Sequence, residues 1–193
     1  PETIEQTVRS LAQRFDEQWG GFGRAPKFPT PVNLELMFRY HRRTGDERAK
    51  HMAVYTLTKM AHGGMYDQVA GGFHRYSTDR RWLVPHFEKM LYDNAQLVPV
   101  YLDAYQLTRR PIMKRIATET LTYILREMTN AKGAFFSATD ADSPVPGKKH
   151  QEEGWYFTWT PEEVRSLLDP REYALIQEFY GLTRLGNFEG RNI

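Results

Sequence analysis

The sequence has no cysteine among its 193 residues. Without thiols the chain forms neither disulfide bridges nor a thiolate metal site, which is consistent with a cytoplasmic protein. It also has no apolar run approaching the roughly 18 residues that indicate a membrane-spanning helix. We therefore predict a cytoplasmic location, with no membrane partner and no signal peptide.

Charges of the two signs nearly cancel, because 26 Lys and Arg oppose 24 Asp and Glu. No basic block or periodic basic stripe occurs, so we predict that nucleic acid is not a partner. H-E-x-x-H, G-x-G-x-x-G and P-loop motifs are lacking, and the six histidines are scattered. The pair Asp140 and Asp142 is a weak match to a calcium loop, because Pro144 stands at the third ligand position. We expect no metal and no cofactor.

What the sequence does contain is a Gly-x-Phe triplet that occurs four times. Its first glycine is Gly20, Gly71, Gly133 and Gly186, so it recurs after 51, 62 and 53 residues. Apolar periodicity between the triplets predicts helices over residues 3–18, 32–44, 46–62, 86–108, 111–130, 161–168 and 170–180. The repeated unit is thus a helix, a tight turn, a second helix and a Gly-x-Phe loop, with these loops at one end of the hairpins.

This pattern predicts an all-α chain with about three antiparallel helix hairpins in a single helical domain, residues 1–193. Such hairpins stack into an open solenoid, or into a closed ring if more units follow. Two β-rich runs at residues 135–138 and 155–159 predict a small β-hairpin near residues 134–159. The chain starts at Pro1 without an initiator Met, and we expect it to be a piece of a longer protein.

Residues 63–96 are the segment with the most side chains suited to chemistry. A helix starting at Pro85 would align His86, Lys89, Asp93 and Gln96 as one polar stripe, which could line a cavity. The alternative is a solvated face with a Lys89–Asp93 ion pair. A titratable pair, His86 and Glu88, also lies at the predicted helix start and is suited to acid/base chemistry.

Carboxylates lie next to three of the Gly-x-Phe loops: Asp16, Asp67 and Asp140. If the loops share one rim, two of these groups could act as the acid and base of sugar chemistry. The alternative is that Asp16 and Asp67 cap turns through their own backbone. His74 and Arg75 likewise offer a base and a cation, or a histidine bonded to loop carbonyls. Tryptophans near the loops would stack on sugars or pack in the core.

Long motifs in this chain closely resemble one protein family. They are GGFGRAPKFPTP, GGMYDQVAGGFHRYSTDRRWLVPHFEKMLYDNAQL, FFSATDADS, EEGWYFTWT and YGLTRLGNFEG. The family is the spermatogenesis-associated, thioredoxin-domain-containing proteins. The resemblance implies a six-hairpin (α/α) toroid related to N-acylglucosamine 2-epimerases and glycoside hydrolases, of which this chain would be the N-terminal half. The thioredoxin-like domain would lie outside it, and faces left open by the missing hairpins would favour self-association.

The function implied is that of a carbohydrate-active or sugar-binding toroid, with metal-independent acid/base chemistry such as 2-epimerisation or hydrolysis. The alternative is a non-enzymatic binding or regulatory module that works with the thioredoxin-like domain. The predicted catalytic residues are His86, Asp67, His74 and Asp140. The predicted substrate-binding residues are Arg75, Trp82, Lys27, Tyr66, Glu88, Asp93 and Trp155.

Overall fold

A computed structural model describes residues 2–193 as seven helices joined by loops and very short strands. The helices are α1 (Glu2–Arg14), α2 (Pro31–Thr44), α3 (Glu47–Ala61), α4 (Leu91–Thr108), α5 (Pro111–Glu127), α6 (Pro161–Leu167) and α7 (Pro170–Tyr180). The strands are β1 (Tyr76–Ser77), β2 (Pro85–His86), β3 (Lys89–Met90), β4 (Ala138–Thr139), β5 (Asp142–Pro144) and β6 (Gln151–Glu153).

The three predicted hairpins, α2–α3, α4–α5 and α6–α7, are confirmed, and local sequence explains their turns. Gly45 ends α2 with a left-handed φ of 75°, which glycine adopts without strain. Asp46 then caps α3 by accepting a hydrogen bond from the backbone N–H of Ala49. Between α6 and α7, Asp169 starts the second helix with a capping box completed by Glu172.

Two helix predictions were wrong at their ends. The helix predicted from residue 86 begins at Leu91, because β2 pairs with β1 and β3 pairs with β4 in extended conformation. The predicted polar stripe therefore does not exist, and Lys89 bonds to Asp67 rather than to Asp93. The first helix ends at Arg14, four residues early, because Phe15 pairs with Phe22 across the first Gly-x-Phe loop.

The predicted β-hairpin exists, but neither β-rich run forms it. Its strands are β5 and β6, paired antiparallel, within residues 142–153. Phe135 instead pairs with Thr129 in the preceding loop. Residues Trp155–Phe157 form a turn of 3-10 helix. Each run instead pairs at its end with a distant segment, Ala138 with Met90 and Trp159 with Asn192.

The contacts divide the chain into two compact units, one ending at Asp140 and the other spanning Ala141–Ile193. In the first unit α1 to α5 enclose a core that includes the fully buried Leu34, Phe38, Leu57 and Met60. The prediction of a single domain over 1–193 stays a prediction. Among the helices described, none combines the length and hydropathy needed to cross a membrane.

The first three Gly-x-Phe triplets form loops of one design: loop 1 (residues 15–22), loop 2 (66–73) and loop 3 (129–135). An isolated β-bridge between its first and last residues closes each loop. The second residue of the loop is Asp16 in loop 1, Asp67 in loop 2 and Asn130 in loop 3. The side chain of this second residue accepts hydrogen bonds from two backbone N–H groups inside the loop, with N···O distances of 2.8–3.1 Å. The sequence repeat is therefore a structural repeat. The fourth triplet differs, since Phe188 pairs with Arg191.

Candidate functional site

Loops 1 and 2 are each bound by a buried lysine. Lys27 Nζ lies 2.8 Å from Asp16 Oδ2 and 2.6 Å from the carbonyl of Gly20. Lys89 Nζ lies 2.8 Å from Asp67 Oδ2 and 2.9 Å from the carbonyl of Gly71. Among residues 2–193 these two are the only buried lysines. The two lysines lie outside the loops and bind equivalent atoms in each, the aspartate carboxylate and the carbonyl of the glycine four residues later.

The neighbouring cations favour the ionised form of both carboxylates. Burial would raise the pKa of the Asp16 carboxyl, but hydrogen bonds from Arg80 and Lys27 bring it well below its ordinary value. For Asp67 burial also opposes ionisation, yet the charge of Lys89 lowers the pKa below the usual range. Burial lowers the pKa of both lysines. Both carboxylates also accept backbone hydrogen bonds within their own loops, which confirms the capping alternative for Asp16 and Asp67. The catalytic role of Asp67 and the substrate-binding role of Lys27 stay predictions.

Three further predicted site residues also make their contacts inside the fold. His74 is 2% exposed, and its Nδ1 lies 2.8 Å from the carbonyl of Phe87. Burial lowers the pKa of His74 to about 3, so the ring is neutral at physiological pH. The Tyr66 hydroxyl donates to Glu119, and the fully buried Trp82 indole donates to the carbonyl of Trp19. All three side chains therefore have partners within the fold, and their predicted roles toward a ligand stay predictions.

An accessible group of rings lies above these buried pairs. The rings of Phe28 and Tyr76 stack with centroids 4.7 Å apart, and those of Tyr76 and His86 with centroids 5.1 Å apart. Phe28 is 49% exposed, while Tyr76 and His86 are half-buried. We call Phe28, Tyr76 and His86 the aromatic stack. Exposed aromatic faces of this kind pack well against the apolar face of a ring-shaped ligand.

Ionisable side chains border the aromatic stack. Arg75 Nη1 lies 3.0 Å from Glu88 Oε2, and the same oxygen lies 3.9 Å from His86 Nε2. Asp93 is half-buried in the first turn of α4. Burial raises its pKa to about 6, against the opposing effect of the Arg75 charge. We call Arg75, Glu88 and Asp93 the charged group. With His86 it supplies proton donors, proton acceptors and a cation at one surface.

Short extended segments bring this surface together. Tyr76 pairs with His86 across β1 and β2, and Lys27 forms an isolated bridge with Ser77. Successive side chains of an extended segment point to opposite faces. Accordingly Phe87 and Lys89 are buried, whereas His86 and Glu88 are partly exposed. The sequence of residues 85–90 alternates inward and outward groups.

The last two predicted site residues come from later parts of the chain. Asp140 is exposed and directly follows β4, whose partner strand β3 contains Lys89. Trp155 belongs to the second unit, where the Arg191 guanidinium lies 4.0 Å from its ring centroid. The structure thus brings together Arg75, His86, Glu88 and Asp93 from the predicted set. Their roles toward a ligand stay predictions.

Sequence reasoning missed Phe28 as a site residue. Its neighbours Lys27 and Pro29 are buried while Phe28 is exposed, an alternation that no pattern in the sequence announces. The one available signal was an aromatic residue next to prolines in a loop, which is weak. Tyr76 and His86 lie within residues 63–96, which the sequence singled out, but the stacking of Tyr76 on Phe28 and on His86 was not predicted.

The chain has close relatives among named proteins. It is 47% identical over 192 residues to human spermatogenesis-associated protein 20. The aligned region covers 93% of this chain and 24% of the human protein. The chain therefore spans about a quarter of the length of the curated relatives it matches. No protein-family model matches it.

Solved structures with a similar fold include sugar epimerases. Cellobiose 2-epimerase from Bacillus thermoamylovorans matches with a TM-score of 0.62 and 15% identity, over 72% of this chain and 40% of that one. Cellobiose 2-epimerase from Spirochaeta thermophila matches with a TM-score of 0.58 and 17% identity, over 93% of this chain and 55% of that one. These matches confirm the fold class, a partial (α/α)6 toroid with a small β-hairpin.

Proposed function

The chain is homologous to a segment of spermatogenesis-associated protein 20, and from that premise we propose that it carries a carbohydrate-binding surface formed by the aromatic stack and the charged group. The observation that carries the proposal is the ring stack of Phe28, Tyr76 and His86 directly beside Glu88. A sugar has an apolar C–H face and a rim of hydroxyls. Aromatic rings match the first, and ionised side chains match the second through strong hydrogen bonds.

The chemistry best suited to this surface is proton transfer by side chains, as in 2-epimerisation or glycoside hydrolysis. Histidine is the side chain most suited to proton transfer near neutral pH. In this proposal His86 moves the proton, while Glu88 orients His86 from 3.9 Å. The partly exposed Arg75 and Asp93 bind hydroxyl groups. The epimerase-like fold agrees with the proposal.

Sugar binding without catalysis is the second candidate, favoured by one specific observation. Asp67 and His74, two of the four predicted catalytic residues, are held in contacts within the fold. Two of the side chains predicted for a two-group acid/base mechanism therefore already have partners within the fold. A binding module of this kind would present a sugar or glycan to another part of the full-length protein.

The test is calorimetric titration of the full-length protein with cellobiose, mannose and N-acetylglucosamine, together with NMR detection of epimerised or hydrolysed product. Phe28→Ala should weaken binding of the sugar that binds the wild type. His86→Gln should abolish turnover while changing affinity less. Phe179→Ala is the matched control, since Phe179 is 78% exposed and belongs to the second unit.

Each outcome decides between the two candidates. Binding with turnover that is lost in His86→Gln supports the enzyme. Saturable binding without turnover in the wild type, weakened by Phe28→Ala, supports the binding module. Affinity that is unchanged in Phe28→Ala, or no binding of any of the three sugars, contradicts the proposed surface.

A further inference from the structure

Each buried lysine is the immediate neighbour of a residue at the proposed sugar surface. Lys27 precedes Phe28 of the aromatic stack, and Lys89 follows Glu88 of the charged group. In both cases the lysine is buried while its neighbour is partly or well exposed. Because extended backbone alternates its side chains between two faces, fixing the lysine also fixes the direction of its neighbour.

The first lysine is connected to the aromatic stack through the backbone. The N–H and the carbonyl of Lys27 each form a 2.8 Å hydrogen bond with Ser77, which follows Tyr76. This pair of bonds sets Phe28 against Tyr76. At its other end, the ammonium of Lys27 bonds to the carboxylate and a carbonyl of loop 1. Loop 1 and the aromatic stack are therefore joined by one side chain.

The second lysine is connected to the charged group in the same way. The carbonyl of Glu88 accepts a 2.8 Å hydrogen bond from the N–H of Arg75, and the two side chains also pair. The ammonium of Lys89 bonds to the carboxylate and a carbonyl of loop 2. Loop 2 and the charged group are thus joined by Lys89.

We propose that Lys27 and Lys89 are positioning residues with separate targets: Lys27 orients the aromatic stack and Lys89 orients the charged group. An apolar side chain would fill the same space without removing an ammonium from water. A lysine also fixes where its own backbone lies, because the ammonium must reach both a carboxylate and a carbonyl. The importance of this for ligand binding rests on the proposed function, whereas the geometric claim does not.

The experiment measures how fast single side chains of the full-length protein react, in wild type and in Lys27→Met and Lys89→Met. Diethyl pyrocarbonate reports on His86 and phenylglyoxal on Arg75, each followed by mass spectrometry of its peptide. We expect Lys27→Met to raise the His86 rate several-fold and leave Arg75 nearly unchanged. Lys89→Met should raise the Arg75 rate several-fold and raise the His86 rate much less, the small change at His86 arising because Glu88 lies 3.9 Å from it.

Matched controls separate positioning from general loosening. Met52→Ala removes core side-chain volume from α3, where Met52 is 1% exposed, and should change neither rate. Unchanged rates at His150 and Arg39, whose side chains are 64% and 74% exposed, verify the reagents. If a Met variant fails to fold, Asp16→Asn or Asp67→Asn replaces it, because each weakens the same ammonium contact with little change of shape.

A crossed pattern supports the proposal. Equal effects of both lysine variants on both rates, or the same effects from Met52→Ala, would overturn it. Because the reactions need no sugar, a crossed pattern without sugar binding would refute only the proposed function. Sugar binding without the crossed pattern would refute only the positioning role.

Discussion

Loops 1 and 2 have the same backbone and the same lysine contact, but their carboxylates differ in how many cations they bind. Asp16 accepts bonds from Lys27 and also from Arg80, at 2.6 and 2.8 Å. Asp67 bonds to Lys89, and no second cation pairs with it in residues 2–193. The first ion pair therefore has a substitute for its lysine, and the second does not.

Loop 3 shows what the loop design itself requires. It has Asn130 in place of the aspartate, while Lys27 and Lys89 bond to the aspartates of loops 1 and 2. It nevertheless keeps the closing bridge and the two backbone hydrogen bonds to its side chain. A neutral side chain thus suffices to close the loop. The ion pairs in loops 1 and 2 serve a further purpose, which we assign to positioning the proposed sugar surface.

The largest expected effect is that of Lys89→Met. Removing one partner of a buried pair leaves the other charge uncompensated, and this costs about 3–5 kcal/mol of unfolding free energy. Asp67 would be left without a paired cation. Urea unfolding measures the loss, with Lys132→Met as the control because Lys132 is exposed on loop 3. A loss no larger than that of the control would show that the pair contributes nothing to stability.

The next largest effect is the difference in unfolding free energy between the variants Gly72→Ala and Gly133→Ala. Both have left-handed φ, 80° and 83°, and that conformation costs other residues about 1–2 kcal/mol. A Cβ at Gly72 would lie 2.5 Å from the Tyr123 ring, whereas one at Gly133 meets nothing within 4 Å. The overlap adds about 1–3 kcal/mol for Gly72→Ala. Equal urea midpoints for the two variants would mean that Tyr123 moves aside freely.

Lys27→Met should lower the free energy of unfolding by about 1–3 kcal/mol, which is less than the loss expected for Lys89→Met. Arg80 remains to bond the Asp16 carboxylate through two nitrogens. The comparison is sharpened by Lys27→Met combined with Arg80→Met, which should lose more than the two single losses added together. Urea unfolding of the three variants gives the coupling. Additive losses would show that Arg80 does not substitute for Lys27.

The smallest effect is the pH dependence contributed by Asp93. Its pKa is raised from 3.8 to about 6 by burial, so the folded state holds its proton more tightly than the unfolded state. Stability from this group is therefore greatest below pH 3.8 and is lost as pH rises through about 6. Asp93→Asn should flatten that part of the stability curve, measured by urea midpoints across the range. Parallel curves for wild type and variant would exclude the shift.

The helical part of the fold could be predicted from the sequence because its signals are local. Apolar periodicity, Gly45 at the end of α2 and Asp46 at the start of α3 lie within a few residues of what they determine. The segment around Lys89 could not be predicted in this way. His86, Lys89 and Asp93 are spaced by three and four residues, which suits a helix as well as it suits the extended segment that the structure has. The deciding partner, Asp67, is 22 residues away in sequence.

The candidate site was predictable only in part, for the same reason. Arg75, His86, Glu88 and Asp93 could be predicted, because residues 63–96 contain a high density of polar side chains. Which aspartate is buried depends on which lysine reaches it, and a single sequence does not contain that information. Phe28 joins the site through a ring partner 48 positions later along the chain, Tyr76.

The central claim is that the aromatic stack and the charged group form one sugar-binding surface. A crystal structure of the full-length protein soaked with whichever of the three sugars binds in calorimetry tests it most directly. The account predicts a sugar ring packed against Phe28 and Tyr76, with hydroxyls bonded to Glu88 or His86. A sugar bound at another position, with the Phe28–Tyr76 separation still 4.7 Å and no density beside the stack, would contradict it.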